Sequence, residues 1–412
     1  MTANAPATPM ALEGIKIVDC SRVVAGPIIG QTLGDLGADV IKVERPGVGD
    51  DLRNWGPPFL KDADGNDTTE SAYFLTSNRN KRSLTLDISK ENGKDILLSL
   101  LEDADIFVEN YKTGDMARYG LGYEQLKERF PKLVYVSVTG FGQTGPYAKR
   151  PGYDYLAQGM GGLMSVTGPA GGDPTRVGVA IADLMTGMHS TIAVLAALRY
   201  RDETGRGQHI DSALLDTQVS WLMNHALNYL VAGTIPERIG NNHPSVVPYR
   251  VFQTKDGYAI LGAGNERQLH GFLDFAERPE LKGHPSFLTN ADRLNNREEV
   301  EGILAEIMLT KTTAEWVEGL EKAGTPCGPV NDISQVFSDP QIIARGMQQS
   351  IPGHAYAPEG VPTVAYPLKL SETPATYRRP PPILGQHTDE ILQERLGLSA
   401  EEIDNLRKSG VI

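Results

Sequence analysis

The sequence predicts an α/β protein with a doubly wound parallel sheet in a large domain and a smaller α+β domain. The first half of the chain alternates short apolar, strand-like runs with amphipathic helical segments, which is typical of a parallel sheet. After Gly233 the pattern changes to a hairpin followed by helices. A chain of 412 residues is also too long for one ordinary core. We therefore predict a large domain over residues 1–230, a small domain over 231–330, and a C-terminal segment over 331–412 that returns to the large domain.

A βαβ unit is predicted close to the N-terminus. Strand-like alternation over Gly14–Cys20 and Ala38–Glu44 flanks a helical segment. The glycines of that segment, Gly26, Gly30 and Gly34, are spaced by four residues. This is not the GxGxxG spacing that lets a backbone approach a pyrophosphate closely, so a nicotinamide or flavin site is disfavoured.

The same alternation continues along the chain. Further strands are predicted at Ser83–Asp87, Asp105–Glu109, Leu133–Val138 and His209–Ala213, and in the small domain at Val247–Phe252 and Gly257–Leu261. Helices are predicted from a Ser89 cap to Leu101, at Tyr123–Phe130, from Asp183 to Thr204, and at Leu214–Val231, Glu298–Met308, Thr313–Ala323 and Thr388–Arg395. The remaining sequence beyond Val330 is rich in proline and is expected to be irregular. Ligands of an open parallel sheet bind beyond the carboxyl ends of its strands, so the site is expected there.

Composition excludes several classes of function. The formal charge is −13 and the sequence has no basic stripe, which argues against a nucleic-acid binder and against polybasic attachment to a membrane. Cys20 and Cys327 have neither a disulfide pattern nor a metal-ligand spacing. The stretch Met1–Met10 resembles an irregular leader and not a signal peptide, and no uninterrupted apolar run reaches the ~18 residues of a membrane span. We expect a cytoplasmic protein without a metal site.

One carboxylate, Asp183, lies between an apolar run and the start of a long helical pattern. An aspartate at such a position caps the helix or acts as a reacting group. The residues alone favour the cap, because Asp is among the preferred capping residues. An aspartate with an ordinary pKa of about 3.9 is ionised at neutral pH and could also attack a substrate without a separate base.

Seven motifs identify a family when they are taken together. They occur in the order Val24–Pro27, Gly37–Gly47, Asn80–Leu84, Val108–Asn110, Thr139–Tyr147, Gly152–Tyr155 and Ala182–Asp183. This ordered set resembles the class III (CaiB/BaiF, formyl-CoA transferase-like) coenzyme A transferases over nearly the whole chain. The resemblance implies a Rossmann-like large domain, a small domain and a homodimer of interlocked chains. It also implies coenzyme A as an acyl-CoA substrate, with no permanently bound cofactor.

The resemblance assigns roles to individual residues. Asp183 corresponds to the family's nucleophile, which forms an aspartyl anhydride and then an aspartyl-CoA thioester. Contacts to coenzyme A are implied for Val24, Ala25, Arg45, Leu86, Asp87, Ile88, Asn110, Tyr111, Lys112 and Arg118. The arginines suit phosphates because a guanidinium can donate two parallel hydrogen bonds. The alternative for each cationic residue is a solvated surface side chain.

Tyr153 and Asp154 are implied to lie beside the acyl group. Formyl-CoA transferase has a Gln at the position of Val24, so oxalate and formate are disfavoured as substrates. The related α-methylacyl-CoA racemases have a His at the position of Tyr153. A phenol with an ordinary pKa of about 10 is a poor base at neutral pH. Acyl transfer is therefore favoured over epimerisation.

The small domain contains two further candidate features. The segment around His243 and Arg250 is most similar to transferases that act on succinyl-CoA and C4–C6 dicarboxylic acids, and either side chain could bind a second carboxylate. Alternatively, both residues have a structural role and stabilise the junction between the two domains. Gly262, Ala263 and Gly264 resemble the family's glycine-rich loop over the anhydride, although glycines also suit a strand-to-helix turn.

The predicted activity is transfer of CoA from an acyl-CoA, in the first place succinyl-CoA, to a small dicarboxylic acid. An α-methylacyl-CoA-racemase-like epimerase and a non-catalytic CoA-binding subunit are the alternatives. Neither is excluded by the sequence alone.

Overall fold

The computed structural model describes residues 9–412, so most of the expected leader Met1–Met10 lies outside the described residues. Within that range the β-strands β1 to β13 are Lys16–Asp19, Asp39–Glu44, Phe59–Lys61, Asp67–Ser71, Lys81–Thr85, Ile106–Glu109, Val134–Thr139, His209–Ala213, Tyr249–Gln253, Tyr258–Gly262, Cys327–Pro329, Gln348–Ile351 and Val361–Val364. The α-helices α1 to α18 are Ala25–Asp35, Ala72–Leu75, Glu91–Leu101, Asp115–Arg118, Tyr123–Leu126, Asp154–Met160, Leu163–Val166, Ile181–Thr204, Leu214–Ser220, Met223–Ala232, Glu266–Phe275, Asn290–Asn295, Arg297–Met308, Thr313–Lys322, Ile333–Ser338, Pro340–Ala344, Thr388–Leu396 and Ala400–Lys408.

The chain folds into two compact units. The larger unit comprises the residues up to Leu163 together with Val177–Ala226 and Gln341–Ile412. The smaller unit comprises Met164–Arg176 and Leu227–Pro340. The domain boundaries given in the sequence analysis, after residues 230 and 330, remain a prediction.

The larger unit is built on a six-stranded sheet with the order β5-β2-β1-β6-β7-β8. All neighbouring strands in it are parallel. The order runs outwards from β1 in both directions, which is the doubly wound arrangement. The prediction of a doubly wound parallel sheet is confirmed, with the short strand β8 added at one edge. The crevice of such a sheet lies where the order reverses, beyond the carboxyl ends of β1 and β6.

Apolar side chains cover both faces of this sheet. Successive residues of a strand point to opposite faces. Ile17 accordingly packs in one buried cluster with α1 and α8, and Val18 packs in another with α3. The second cluster also contains Ile391 and Ile403, so α17 and α18 near the C-terminus complete this face of the sheet.

Helix α8 is apolar enough, over a sufficient length, to cross a membrane by composition alone. Polar residues interrupt its apolar ones, so it contains no uninterrupted apolar run of membrane-spanning length. In the structure Val194, Ala197 and Leu198 of this helix are buried against the sheet together with residues of α1. These are the contacts of a core helix.

Three predicted helix details are wrong. The helix predicted at Tyr123–Phe130 is shorter, because α5 ends at Leu126 and a turn follows. The segment predicted as one helix, Leu214–Val231, is divided into α9 and α10, because Met223 has a φ of +43°. A non-glycine residue rarely adopts that left-handed conformation, and the sequence gives no sign of it. Ser89 does not cap α3; the capping position is Lys90, and the Ser89 hydroxyl donates to Asp87 instead.

The segment beyond Val330 is more regular than predicted. It contains α15, α16, the antiparallel pair β12–β13 and the terminal helix α18. Ser399 and Glu402 form a reciprocal capping box at the start of α18. The sequence contains this Ser-x-x-Glu signal, which is sufficient to predict the start of α18.

The smaller unit contains a three-stranded antiparallel sheet with the order β11-β10-β9. The hairpin predicted over residues 247–261 is confirmed by the pairing of β9 with β10. Apolar side chains of α11, α13 and α14 pack on this sheet, among them Phe272, Leu304 and Trp316.

Candidate active site

Asp183 is the third residue of α8 and does not cap it. The capping position is Ala180, which has no side chain able to accept a hydrogen bond. Asp154, the first residue of α6, supplies the missing acceptor. Its Oδ1 accepts from the backbone N–H of Ala182 at 2.7 Å and of Asp183 at 3.3 Å. The capping interpretation of Asp183 is therefore wrong, and the Asp183 side chain is left available for chemistry.

The Asp183 carboxyl is unusually basic. Burial, and then the negative charge of Asp154, raise its pKa to about 7. Within residues 9–412 no hydrogen bond or ion pair to this carboxylate offsets these two effects. The expectation of an ordinary pKa is wrong, because the fold buries Asp183 and, as a smaller cause, places the charge of Asp154 beside it. A carboxylate with this pKa is a stronger nucleophile when ionised, but only part of it is ionised at pH 7.

Asp183 faces a cavity of about 140 Å³, called here the Asp183 cavity. Six of the predicted contact residues line it, namely Val24, Ala25, Asn110, Tyr111, Lys112 and Tyr153. Val24 and Ala25 begin α1, which follows β1, and residues 110–112 follow β6. The cavity thus lies at the point where the strand order of the sheet reverses. Tyr153 precedes α6 and has 64% of its surface exposed.

A second cavity of about 380 Å³, the Arg45 cavity, lies beside the first. Four further predicted contacts line it, Arg45, Leu86, Asp87 and Ile88. Tyr111 and Lys112 line both cavities, as do Arg22 and Asp51. The two cavities therefore share a wall and together could accommodate a long ligand with its reacting end at Asp183.

Buried ion pairs fix the loops around the Arg45 cavity. Lys42 of β2 lies 2.8 Å from Asp50, and both side chains are fully buried. Asp50 also accepts from the backbone N–H of Val23 at 3.0 Å. Val23 is β-branched and has a φ of +69°, a conformation that costs about 1–3 kcal/mol. The ion pair thus holds a strained turn directly before α1.

A second buried network lies next to this pair. The Arg53 guanidinium bonds to Glu44 at 2.8 Å and to Glu70 at 2.7 Å. Burial opposes ionisation of Glu44, but the charge and hydrogen bonds of Arg53 prevail and lower the pKa of Glu44 to about 2. Glu44 lines the Arg45 cavity, so a permanently ionised carboxylate contributes to its wall. Neither network was predicted. The sequence contains a signal for the pair of Lys42 with Asp50, because Lys42 lies inside a strand with apolar neighbours on both sides.

Two predicted contacts lie elsewhere in the larger unit. Arg118 lines neither the Asp183 cavity nor the Arg45 cavity; it is exposed and lies 3.3 Å from Asp115. Asp154 is buried, and its Oδ2 accepts from Gln158 Nε2 at 2.7 Å. Its carboxylate therefore supports Asp183 from behind and is not part of the cavity lining.

The remaining predicted residues belong to the smaller unit. The Arg250 guanidinium pairs with Glu301 and lies 5.3 Å from the centre of the Phe252 ring. The Nδ1 of His243 accepts from the backbone N–H of Ser245 at 3.1 Å. Both side chains are thus engaged within this unit, and their role in substrate binding stays a prediction.

The glycine-rich loop Gly262–Gly264 connects β10 to α11. Three hydrogen bonds, donated by successive backbone N–H groups, anchor it. The backbone N–H of Gly262 donates to Pro326 and that of Ala263 to Pro248, each at 3.0 Å. The backbone N–H of Gly264 donates to Gln268 at 2.9 Å. In this conformation the loop is a well-anchored strand-to-helix turn, and its movement over a substrate stays a prediction.

Comparison with known proteins decides the family. The sequence model of "CoA-transferase family III" matches residues 12–388. The chain belongs to this family. The predicted resemblance is confirmed, and the enzyme is a CoA-transferase.

Relatives of known activity are similar over almost their whole length. A succinyl-CoA:glutarate CoA-transferase of Homo sapiens is 43% identical over 97% of this chain and 90% of its own length. A succinate–glutarate CoA-transferase of Agrobacterium fabrum is 43% identical over 93% of this chain and 95% of its own. Among solved structures, a CaiB/BaiF family protein from Brucella suis matches with a TM-score of 0.86 and 43% identity, covering 94% of this chain and all of that one.

Proposed function

We propose that the enzyme transfers CoA from succinyl-CoA to a small dicarboxylic acid such as glutarate, with Asp183 as the nucleophile. The observation that carries the role of Asp183 is its position. A carboxylate without a hydrogen-bond partner in residues 9–412 faces the cavity that six predicted contact residues share. The choice of substrates rests on the activities named for the human and Agrobacterium relatives.

The reaction needs only the exchange of acyl groups between oxygen and sulfur. The Asp183 carboxylate attacks the thioester carbonyl, the carbon–sulfur bond breaks, and CoA leaves as a thiolate. The products of this step are the thiolate and a mixed anhydride between Asp183 and the acyl group. The thiolate then attacks the aspartyl carbonyl, which releases succinate and leaves Asp183 as a CoA thioester. No net proton is taken up or released.

The second half repeats these steps in reverse. A carboxylate of the acceptor attacks the aspartyl-CoA thioester, giving a new anhydride and free thiolate. The thiolate attacks the acceptor's carbonyl, so the new acyl-CoA forms and the Asp183 carboxylate is regenerated. Water would hydrolyse either intermediate, so the cavity must exclude it during the reaction. The apolar side chains of Val24, Val138 and Leu214 in the lining suit this requirement.

Asp154 has a positioning role in this mechanism. It holds the first turn of α8 through two backbone N–H groups, and its charge makes Asp183 more basic. An epimerase would instead need a second base at the position of Tyr153. A phenol is poorly suited to that role at neutral pH. Transferase chemistry is therefore favoured over the alternative.

The proposal also includes the assembly and location of the enzyme. We propose an interlocked homodimer in the cytoplasm, without a permanently bound cofactor. Helix α10 exposes several large apolar side chains: Met223 is 73% exposed, Leu230 74% and Val231 80%. Apolar side chains clustered on one exposed helix are typical of a surface that another chain covers. Light scattering in solution tests this point, and a monomer at micromolar concentration would contradict it.

The activity is tested by incubating the enzyme with succinyl-CoA and glutarate and measuring glutaryl-CoA by mass spectrometry. Hydroxylamine should trap the acylated enzyme as a hydroxamate at Asp183. Asp183→Asn should abolish both signals. The matched control is Asp216→Asn, an exposed aspartate in the first turn of another helix, which should retain both. Normal turnover by Asp183→Asn would refute the proposal.

A further inference from the structure

Three cationic side chains line the Asp183 cavity: Arg22, Lys112 and Arg150. Arg22 lies 3.2 Å from the carboxylate of Asp51, so its charge is already partnered. Lys112 also lines the Arg45 cavity, where the body of coenzyme A is expected. Arg150 is different, because it lines the Asp183 cavity and not the Arg45 cavity.

Arg150 is held in place without being neutralised. Its Cζ atom lies 4.0 Å from the centre of the Tyr147 ring, a cation–π contact that orients the planar guanidinium. Within residues 9–412 it forms no ion pair with a carboxylate. The ring contact uses the flat face of the guanidinium and leaves the N–H groups at its edge available. These can bind a carboxylate through two parallel hydrogen bonds.

The charges in the Asp183 cavity call for such a cation. A dicarboxylate brings two negative charges next to Asp183, with Asp154 directly behind it. One carboxylate of the acceptor reacts, and the other stays charged throughout. A carboxylate that loses part of its hydration on binding is stabilised when a partner of opposite sign binds it, and Arg150 lies at the exposed side of the cavity where such a carboxylate could reach it. Arg250, a candidate for this role from the sequence, already pairs with Glu301.

The cavity also has a suitable size. Its volume of about 140 Å³ is below the roughly 300–1,000 Å³ of pockets for drug-sized ligands, which suits a short acid better than a long acyl chain.

We propose that Arg150 binds the non-reacting carboxylate of the dicarboxylic acid and thereby selects dicarboxylates over monocarboxylates. This inference rests on the proposed function and identifies the residue that sets its specificity. Succinyl-CoA also carries a free carboxylate. Because both half-reactions take place at Asp183, Arg150 serves the succinyl donor and the acceptor alike.

The test compares kcat/KM for glutarate with kcat/KM for pentanoate, a monocarboxylate of equal chain length, using succinyl-CoA as the donor. In Arg150→Gln the ratio should fall at least tenfold, as expected for losing a hydrogen-bonded charge pair. Arg150→Lys keeps the charge but cannot donate two parallel hydrogen bonds, so its ratio should lie between those of the wild type and Arg150→Gln. The matched control is Lys149→Gln, an exposed neighbour outside the cavity lining, whose ratio should equal that of the wild type.

A charge reversal supplies a test that a purely structural role would not pass. In Arg150→Glu the preference should move from glutarate towards 5-aminopentanoate, a cationic acid of the same length. Unchanged ratios in Arg150→Gln and Arg150→Glu, with wild-type thermal unfolding, would overturn the inference. That result is distinguishable from failure of the proposed function, in which the wild-type enzyme itself would form no glutaryl-CoA.

Discussion

Asp154→Asn is the substitution that most directly tests the electrostatics of the site. It removes a negative charge beside Asp183 and leaves the size of the side chain almost unchanged. The amide oxygen can still accept from the backbone N–H groups of Ala182 and Asp183, which now bond to Oδ1. The contact that is lost is the one from Gln158 Nε2 to Oδ2, because the amide nitrogen would face another donor.

The expected effect follows from the causes of the raised pKa of Asp183. The pKa of about 7 lies about three pH units above the ordinary value of 3.8. Burial is the larger cause and the charge of Asp154 the smaller, so Asp154 accounts for less than half of the difference. We expect the pKa of Asp183 to fall by on the order of one pH unit in Asp154→Asn, equivalent to ~1.4 kcal/mol. The ionised nucleophile then persists to lower pH.

The assay is the pH dependence of kcat/KM for succinyl-CoA, which reports ionisations of the free enzyme. In the wild type the rate should rise with pH through a midpoint near 7, and in Asp154→Asn the midpoint should lie at lower pH. Gln158→Met is the control that keeps the charge of Asp154, because it removes the same side-chain hydrogen bond together with those that Gln158 forms to the backbone of Val177 and Val179. Its midpoint should stay near that of the wild type. A midpoint that is unchanged or higher in Asp154→Asn would refute the reasoning.

Two further predictions concern stability. The folded-state pKa of Asp183 lies above its unfolded value, so the buried carboxyl destabilises the fold progressively as pH rises from about 4 to about 7. Asp183→Asn should therefore be more stable than the wild type at pH 8, by on the order of 2–4 kcal/mol, and equally stable at pH 3.5. Urea unfolding at both pH values measures this, and a difference independent of pH would contradict it. Lys42→Met leaves Asp50 charged and buried without its partner, so it should destabilise the protein by roughly 3–5 kcal/mol. The double variant Lys42→Met/Asp50→Asn should lose less, because it removes the uncompensated charge and keeps an oxygen that accepts from the backbone N–H of Val23, and the same unfolding experiment would show this.

The parallel sheet could be predicted because its signal is local. The central strands β1, β6 and β7 bury apolar residues on both faces, and helical segments separate most strands along the chain, so each strand and helix could be recognised from its own residues. The placement of the candidate site followed from the same fact. Residues after β1 and β6, such as Val24 and Asn110, line the Asp183 cavity because the carboxyl ends of parallel strands meet at one edge.

What could not be predicted depends on contacts between distant residues. The group that caps α8 is Asp154, 29 residues before Asp183, and only the fold brings the two carboxyls together. A capping preference read from one position therefore assigned the wrong residue. Arg150 was not singled out for a similar reason. In the sequence it is one surface arginine among many, and its position beside Asp183 depends on how the loop after β7 folds.

The packing of α17 and α18 on the parallel sheet affects how the chain is synthesised. One face of the sheet made from the first 140 residues, approximately the part up to β7 at Val134–Thr139, is covered in part by α3 and in part by Ile391, Leu392 and Ile403. These residues leave the ribosome long after the strands that they protect. The smaller unit, whose Leu227–Pro340 stretch is continuous, can fold in the meantime. Part of an apolar sheet face of the nascent larger unit therefore stays uncovered until translation is almost complete, and exposed apolar surface of this kind promotes aggregation during folding.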